Sequence, residues 1–480
     1  MAEQESSTTA APPCEFQTRP AGNTEHSWCK AVPSGTGITV LALLLSKSPD
    51  TSLLQNALHK LQNSNPILKS KLHYEPTTNS YSYIIPSTSH LQIQPFDLSS
   101  TAQILQQLQN PNHTSISDFH LILEHEINKN SWVNTATSSE ISDTNVFFAS
   151  IYRLSDEKWA VTLRIHTSMC DRAAALALLR KLLELMSSEK IQGMNENEGG
   201  GVELELGEKM EVVLGIEEYI PTGKANKPFW ARGIDMVGYG LNALRFANLK
   251  FIDSESTRGS QVVKLQLNKE DTDRILDGCK TRDIKLCGLL AAAGLMAAHS
   301  SKGLPEDQWE KYAVVTLINC RPILDPVLRP DFPGFYHSAI LNTHDVKGGE
   351  DIWELAMRSY TSFINAKNNN KHFSDMGDLN FLMCKAIDNP GLTPASSLRT
   401  SLISVFEDPV IDTSSTVHQE IGLEDFIGCA SVHGVGPSIA IFDTIRNGQL
   451  DCACVYPFPL HTREQIQELI GEMKRILVDW

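Results

Sequence analysis

The stretch that decides the fold is Ile165-His166-Thr167-Ser168-Met169-Cys170-Asp171-Arg172. It follows a strand-like run over residues 159–165 and precedes a helix-like run over residues 173–186. Side chains alternate between the two faces of a strand, so His166 shares the less apolar face with Ala160, Thr162 and Arg164. We therefore expect His166 at the end of a strand, directly before a turn into a helix.

A histidine and an aspartate around a strand end are typical of acyl-transfer sites, where histidine serves as a general base. Asp171 could instead cap the following helix or pair with a distant arginine. A purely structural interpretation is also open, with His166 hydrogen-bonded at the strand end and Ser168 and Asp171 forming a loose capping box. Because short motifs have low specificity, the octapeptide alone favours the structural interpretation.

Cys170 is a second candidate for chemistry. A cysteine beside a helix N-terminus can have a lowered pKa and act as a nucleophile, but free cysteines are more often buried as small hydrophobic residues. The chain has ten cysteines, and none of them forms a CxxC pair or a spacing typical of a zinc site or disulfide framework. We expect no metal site and a reducing compartment.

The composition is that of a globular protein with two cores. The chain has 480 residues, which suits two lobes of about 200 residues each. Its net charge of −16 opposes binding to nucleic acid and to anionic membrane surfaces. An anionic cosubstrate would need lysines or arginines close to its site.

The amino-acid composition changes part-way along the chain, and this change predicts the boundary between two lobes. Residues 1–15 are polar without a signal-peptide pattern, and we expect a disordered tail and a cytoplasmic protein. Residues 187–207 are rich in glutamate, asparagine and glycine, which is typical of a mobile linker. We predict an N-terminal lobe over residues 16–190, an acidic glycine-rich linker over 191–225 and a C-terminal lobe over 226–480.

Strands and helices mix in both halves, which favours an α/β or α+β fold with a mixed sheet in each lobe. Residues 51–72 have the spacing of a helix, and residues 286–298 form an apolar run that is too short to span a bilayer and fits a buried helix. Asn447-Gly448 lies between two strand-like runs and predicts a type I′ hairpin. Folds of this kind usually bind ligands between the lobes.

Several segments, in this order along the chain, are similar to those of one known superfamily. They are the first helix and its Pro66 turn, the His166–Asp171 stretch at the position of an HHxxxD motif, the strand and turn over residues 316–324, the glycine-aromatic turn over 334–336, and the last hairpin and helix. From about residue 16 to 480, the chain resembles the acyl-CoA-dependent acyltransferases with the chloramphenicol-acetyltransferase-like fold. These include the BAHD enzymes, alcohol acetyltransferases, polyketide-associated acyltransferases and condensation domains of nonribosomal peptide synthetases.

The resemblance implies two lobes with an active-site channel between them. It also implies a general base at the second histidine of HHxxxD, and an aspartate that pairs with an arginine of a later strand. When this motif is matched to the present sequence, the resemblance implies that His166 is the first histidine, Asp171 is the aspartate and Arg321 is its partner. Thr167, Ser168 and Cys170 are the expected neighbours of the site. Acyl-CoA is the expected cosubstrate, a small-molecule alcohol or amine is the expected acceptor, and no bound cofactor is expected.

The sequence departs from this pattern at the base. Thr167 stands at the base position, and a threonine hydroxyl has no useful pKa near neutrality. Arg172 replaces the usual glycine, and no DFGWG motif is present. Three alternatives stay open: His166 acts as the base, orientation alone supports the reaction, or the chain is a degenerate homologue that binds a small molecule or serves as a scaffold.

Overall fold

The computed structural model describes residues 16–108, 116–133, 143–194, 213–243, 246–305, 307–412 and 419–480. The predicted tail over residues 1–15 lies outside this part of the chain, as do residues 195–212 of the predicted linker. The proposed lobe boundaries at residues 190 and 226 stay predictions.

The N-terminal half alternates strands with helices. Its strands are β1 Phe16–Pro20, β2 Thr36–Leu45, β3 Lys71–Glu75, β4 Ser80–Pro86, β5 Ile93–Phe96, β6 Thr144–Asn145, β7 Phe147–Arg153 and β8 Trp159–His166. Its helices are α1 Asn23–Ala31, α2 Thr51–Ser64, α3 Leu98–Leu108, α4 Asp118–Asn128 and α5 Arg172–Met194.

The C-terminal half begins its regular structure with a helix and ends with one. Its strands are β9 Gly259–Gln266, β10 Glu310–Asn319, β11 His337–Val346, β12 Arg399–Phe406, β13 Val410–Asp412, β14 Leu423–Val432, β15 Gly436–Arg446 and β16 Gln449–Phe458. Its helices are α6 Phe229–Ala243, α7 Lys269–Thr281, α8 Leu286–Ser300, α9 Ile352–Asn368, α10 Lys371–Ser374, α11 Met376–Asp388 and α12 Arg463–Val478.

Helix α2 is shorter than predicted. It begins after Asp50, whose carboxylate accepts hydrogen bonds from two backbone N–H groups of the first turn. It ends at Ser64, because the ring of Pro66 disfavours helical backbone at Asn65. The Pro66–Lys69 segment forms a short 3₁₀ turn, and Lys71 and Leu72 at the end of the predicted helix belong to strand β3.

The strands form three sheets. One has the order β14-β2-β8-β7-β5, the largest has the order β11-β10-β12-β15-β16-β9 with β13 beside β15, and the smallest has the order β1-β4-β3-β6. Strand β12 is parallel to both of its neighbours, β10 and β15, whereas β10 is antiparallel to β11. Strand β5 is likewise parallel to β7, while β7 and β8 are antiparallel. The predicted mixed α/β architecture is confirmed.

One strand of the C-terminal half belongs to the sheet of the N-terminal half. Strand β14 pairs antiparallel with β2, from Leu423 opposite Leu45 to Val432 opposite Thr36. Any space between the two large sheets is therefore bounded by chain segments that are far apart in sequence.

The predicted hairpin and the predicted buried helix are both present. Asn447 and Gly448 have φ angles of 52° and 76°, and a type I′ turn requires positive φ at both positions. Helix α8 is buried along most of its length beneath the largest sheet, where it packs against α9 and α12. Among the described helices, none combines the length and the apolar character that crossing a bilayer requires.

Candidate active site between the lobes

His166 is the last residue of β8, as predicted, and its side chain is 0% exposed. Its Nδ1 accepts hydrogen bonds from the backbone N–H of Ser168 at 3.3 Å and from the Ser168 hydroxyl at 2.7 Å. The ring therefore caps the 3₁₀ turn Thr167–Met169 that follows the strand. Tyr83 donates a further hydrogen bond to the Ser168 hydroxyl at 3.0 Å.

Packing closes the remaining side of the His166 ring. The indole of Trp132 stands edge-on to it, with 5.1 Å between ring centroids. Burial lowers the pKa of His166 to about 3, so the imidazole is neutral near pH 7. The surroundings of His166 match the structural interpretation of the octapeptide better than the catalytic one.

Asp171 joins helix α5 to the C-terminal half. Its Oδ1 accepts a hydrogen bond from the backbone N–H of Ala174 at 2.9 Å and so caps α5. Its Oδ2 accepts hydrogen bonds from Arg321 Nη1 at 2.8 Å and from the backbone N–H of Tyr336 at 2.7 Å. The aspartate therefore fulfils both roles that the sequence left open, as a helix cap and as the partner of an arginine.

Arg321 holds the loop over residues 332–336 against this carboxylate. The guanidinium is fully buried and donates to the carbonyl oxygens of Phe332, at 3.0 and 2.9 Å, and of Gly334, at 3.2 Å. Burial alone would raise the pKa of Asp171, but Arg321 and His337 hold it well below its usual range. The carboxylate is ionised throughout the physiological range, and the pair links the two halves.

A cavity of about 550 Å³ lies between the two large sheets, and we call it the inter-lobe channel. Its walls come from β2 and β14 of one sheet, from β10, β11, β12 and β15 of the other, and from helices α1, α5 and α11. Leu392 lines it and is 60% exposed, so the channel reaches the protein surface there.

Thr167, Cys170 and Asp171 line the channel, whereas the lining residues include neither His166 nor Ser168. The hydroxyl of Thr167 is hydrogen-bonded to that of Thr39 at 2.6 Å. Burial raises the pKa of the Cys170 thiol well above its usual value, which opposes thiolate formation and a nucleophilic role.

Arg172, which stands at the position of the usual glycine, also lines the channel. Its guanidinium lies 4.1 Å above the ring of Phe406, and its Nη1 donates to Asp443 Oδ1 at 3.0 Å. This long side chain connects the start of α5 to β15 and takes up space that a glycine would leave open.

The structure adds one residue that sequence reasoning missed. His337 is the first residue of β11 and lines the channel, and its Nδ1 lies 3.0 Å from Asp171 Oδ2. The sequence held one signal for it: His337 directly follows the Gly334–Tyr336 turn, and this turn contacts the aspartate. No three His, Cys, Asp or Glu side chains within the described ranges come together as a metal site.

No protein-family model and no curated protein matches the chain by sequence. Solved structures do match it along nearly its whole length. The trichothecene 15-O-acetyltransferase of Fusarium sporotrichioides superposes with a TM-score of 0.69 at 12% identity, covering 97% of this chain and 95% of its own. The chain therefore shares its two-lobed fold with this acetyltransferase.

Two further structures support this fold assignment. Polyketide synthase associated protein 5 from Mycobacterium tuberculosis has a TM-score of 0.62 at 15% identity, with coverage of 96% of this chain and 97% of that one. The EpoB NRPS cyclization-docking bidomain from Sorangium cellulosum also has a TM-score of 0.62, at 12% identity and with coverage of 96% and 85%. The fold prediction is confirmed.

Proposed function

We propose that the protein transfers an acyl group from a thioester to a hydroxyl or amine of a small molecule inside the inter-lobe channel. The observation that carries the proposal is the position of the Asp171–Arg321 pair, because Asp171 lines this channel at the end of β8. The pair joins the two halves of the chain beside the channel, and the fold is shared with an acetyltransferase.

The channel walls favour an apolar acceptor. Most of the lining side chains are aliphatic or aromatic, among them Leu41, Leu176, Leu317, Phe335, Met383 and Phe442. The volume of about 550 Å³ falls in the range of small-molecule sites, roughly 300–1,000 Å³. Removing apolar surface from water is the main driving force that such walls offer.

For the donor we propose an acyl-CoA-type thioester. Lys385 lines the channel and is exposed, so it is a local cation for an anionic cosubstrate on a chain of net charge −16. The prediction of a cytoplasmic location is compatible with such a donor. His166 enters the proposal as the residue that shapes the turn carrying Thr167.

A second candidate function is binding of a small apolar molecule without catalysis. Thr167 at the usual base position and the enclosure of His166 by Trp132 favour it. Both functions require a ligand in the inter-lobe channel. They differ in whether the bound ligand is converted to an acylated product.

The experiment compares the wild type with Ala339→Trp and Thr343→Trp. Both positions lie on the same face of β11, but Ala339 lines the channel and Thr343 is exposed beyond it. The purified proteins are incubated with acetyl-CoA and longer acyl-CoA esters plus apolar alcohols or amines, and thiol release and product mass are measured.

We expect transfer by the wild type and by Thr343→Trp, and a large loss in Ala339→Trp because the indole fills the channel. Ligand binding that Ala339→Trp abolishes, without turnover in the wild type, would establish the second function instead. If the wild type shows neither binding nor transfer, both proposals are wrong.

A further inference from the structure

Among the described residues that line the channel, His337 is the one histidine. It lies against an ionised carboxylate, with 3.0 Å between its Nδ1 and Asp171 Oδ2. Its side chain is only 6% exposed, so it is sheltered from bulk water. The inference drawn from these features rests on the proposed function and identifies the base of the same site.

The ring is held on several sides. The ring of Phe406 stands edge-on to it at 6.0 Å between centroids, and the ring of Phe335 lies at 6.3 Å. The backbone before it is fixed, because the N–H of Tyr336 donates to Asp171 and the carbonyl of Gly334 accepts from Arg321. Such a ring needs little reorganisation to act on a bound acceptor.

Charged groups from both halves of the chain surround the ring. Asp171 faces it directly, and Arg321 lies behind that carboxylate. On the other side, Arg172 is stacked on Phe406 and is paired with Asp443. A carboxylate beside Nδ1 orients the imidazole and stabilises the imidazolium, which is the role that aspartate has in serine-histidine-aspartate triads.

We propose that His337 is the general base of the acyl transfer and that Asp171 is its positioning residue. The negative charge of Asp171, 3.0 Å from Nδ1, favours the tautomer that is protonated at Nδ1, which leaves Nε2 for the acceptor. Nε2 takes the proton of the acceptor hydroxyl or amine while its oxygen or nitrogen forms the new bond to the thioester carbonyl carbon. The carbon–sulfur bond then breaks, and the leaving thiolate takes the proton from the imidazolium.

The other side chains named in the sequence do not offer this chemistry. His166 is neutral, enclosed and occupied at Nδ1 by Ser168. Thr167 has a hydroxyl that is engaged by Thr39, and the pKa of the Cys170 thiol is raised by burial. In this arrangement the base belongs to β11 of the C-terminal half, and the end of β8, where the HHxxxD pattern would put it, supplies only the neighbouring wall.

The test compares His337→Gln with His344→Gln. Both residues lie on β11 and both are buried, but His344 does not line the inter-lobe channel. Glutamine keeps a polar side chain of similar length and removes the base. With the donor and acceptor that the preceding experiment selects, kcat and KM are measured, and binding of the acceptor is measured directly.

We expect kcat of His337→Gln to fall by about 10²–10⁴-fold, with acceptor binding changed only a few-fold, because general-base catalysis contributes about that much. His344→Gln should behave like the wild type. If His337→Gln keeps the kcat of the wild type, the inference is overturned while the proposed function stands. Absence of transfer in the wild type would instead remove the proposed function on which the inference rests.

Discussion

The two strand ends that carry His166 and His337 show how differently one residue type can be used. At the end of β8, His166 is enclosed by Trp132, serves Ser168 as a hydrogen-bond acceptor and does not line the channel. At the start of β11, His337 lines the channel and lies against Asp171. The first histidine stabilises a turn, and the second is the general base that we propose.

Asp171 connects the two regions, so its loss should have the largest effect. Asp171→Asn leaves Arg321 buried without a compensating charge, and we expect a loss of roughly 3–5 kcal/mol in the free energy of unfolding. The measurement is urea denaturation followed by fluorescence.

Asp345→Asn is the matched control for this change. Asp345 pairs with Lys311 at 3.4 Å on the surface, and such exposed pairs contribute at most about 1 kcal/mol. Equal shifts of the two denaturation midpoints would show that Asp171 does not hold the halves together.

The buried state of His166 should appear as a pH dependence of stability. Its pKa is about 3 when folded and rises toward the ordinary value of about 6.5 on unfolding, so the unfolded chain binds the additional proton. Its stabilising contribution is therefore full above pH 6.5 and declines as the pH falls toward 3.

His166→Asn keeps an acceptor for the backbone of Ser168 and removes the titration. Between pH 7 and pH 5 we expect the variant to lose roughly 2 kcal/mol less unfolding free energy than the wild type. Denaturation curves at pH 5, 6, 7 and 8 measure this, and the two proteins should run parallel between pH 7 and 8. Parallel curves down to pH 5 would mean that His166 is accessible to protons in the folded chain.

The smallest effect on stability and on the transfer rate is expected at Thr167, which occupies the position of the usual base. Thr167→Val keeps the shape of the side chain and removes its hydrogen bond to Thr39, which should cost about 1 kcal/mol of stability. The acyl-transfer rate should change less than tenfold, because the threonine is only part of the channel wall. A loss of 10²-fold or more would assign the reaction to the β8 end of the channel.

Much of the fold could be predicted because its signals are local. Alternation over residues 147–166 predicts the β7–β8 hairpin, and Asn447-Gly448 predicts its turn type. The resemblance also implied the Asp171–Arg321 pair, although 150 positions separate its members. Pro66 and Lys69 mark the exit of helix α2 in the sequence, and the helix ends at Ser64, directly before that exit.

The site was only partly predictable because its features depend on distant segments. Alternation put His166 on the less apolar face of β8, but only the tertiary structure brings Trp132 over it. His337 enters the site because Arg321 binds the preceding loop and draws it to Asp171. The Gly334–Tyr336 turn is the one local signal for the position of His337, and nothing local in the sequence marks the contact between Trp132 and His166.

The most direct test of the central claim compares the two histidines in the unmodified protein. Diethyl pyrocarbonate acylates accessible neutral imidazoles, and peptide mass mapping over time gives the rate at each histidine. We predict that loss of acyl-transfer activity follows modification of His337, that a channel-binding acceptor slows both the modification and the loss of activity, and that His166 stays unmodified. Inactivation that follows modification of His166 while His337 is untouched would contradict it.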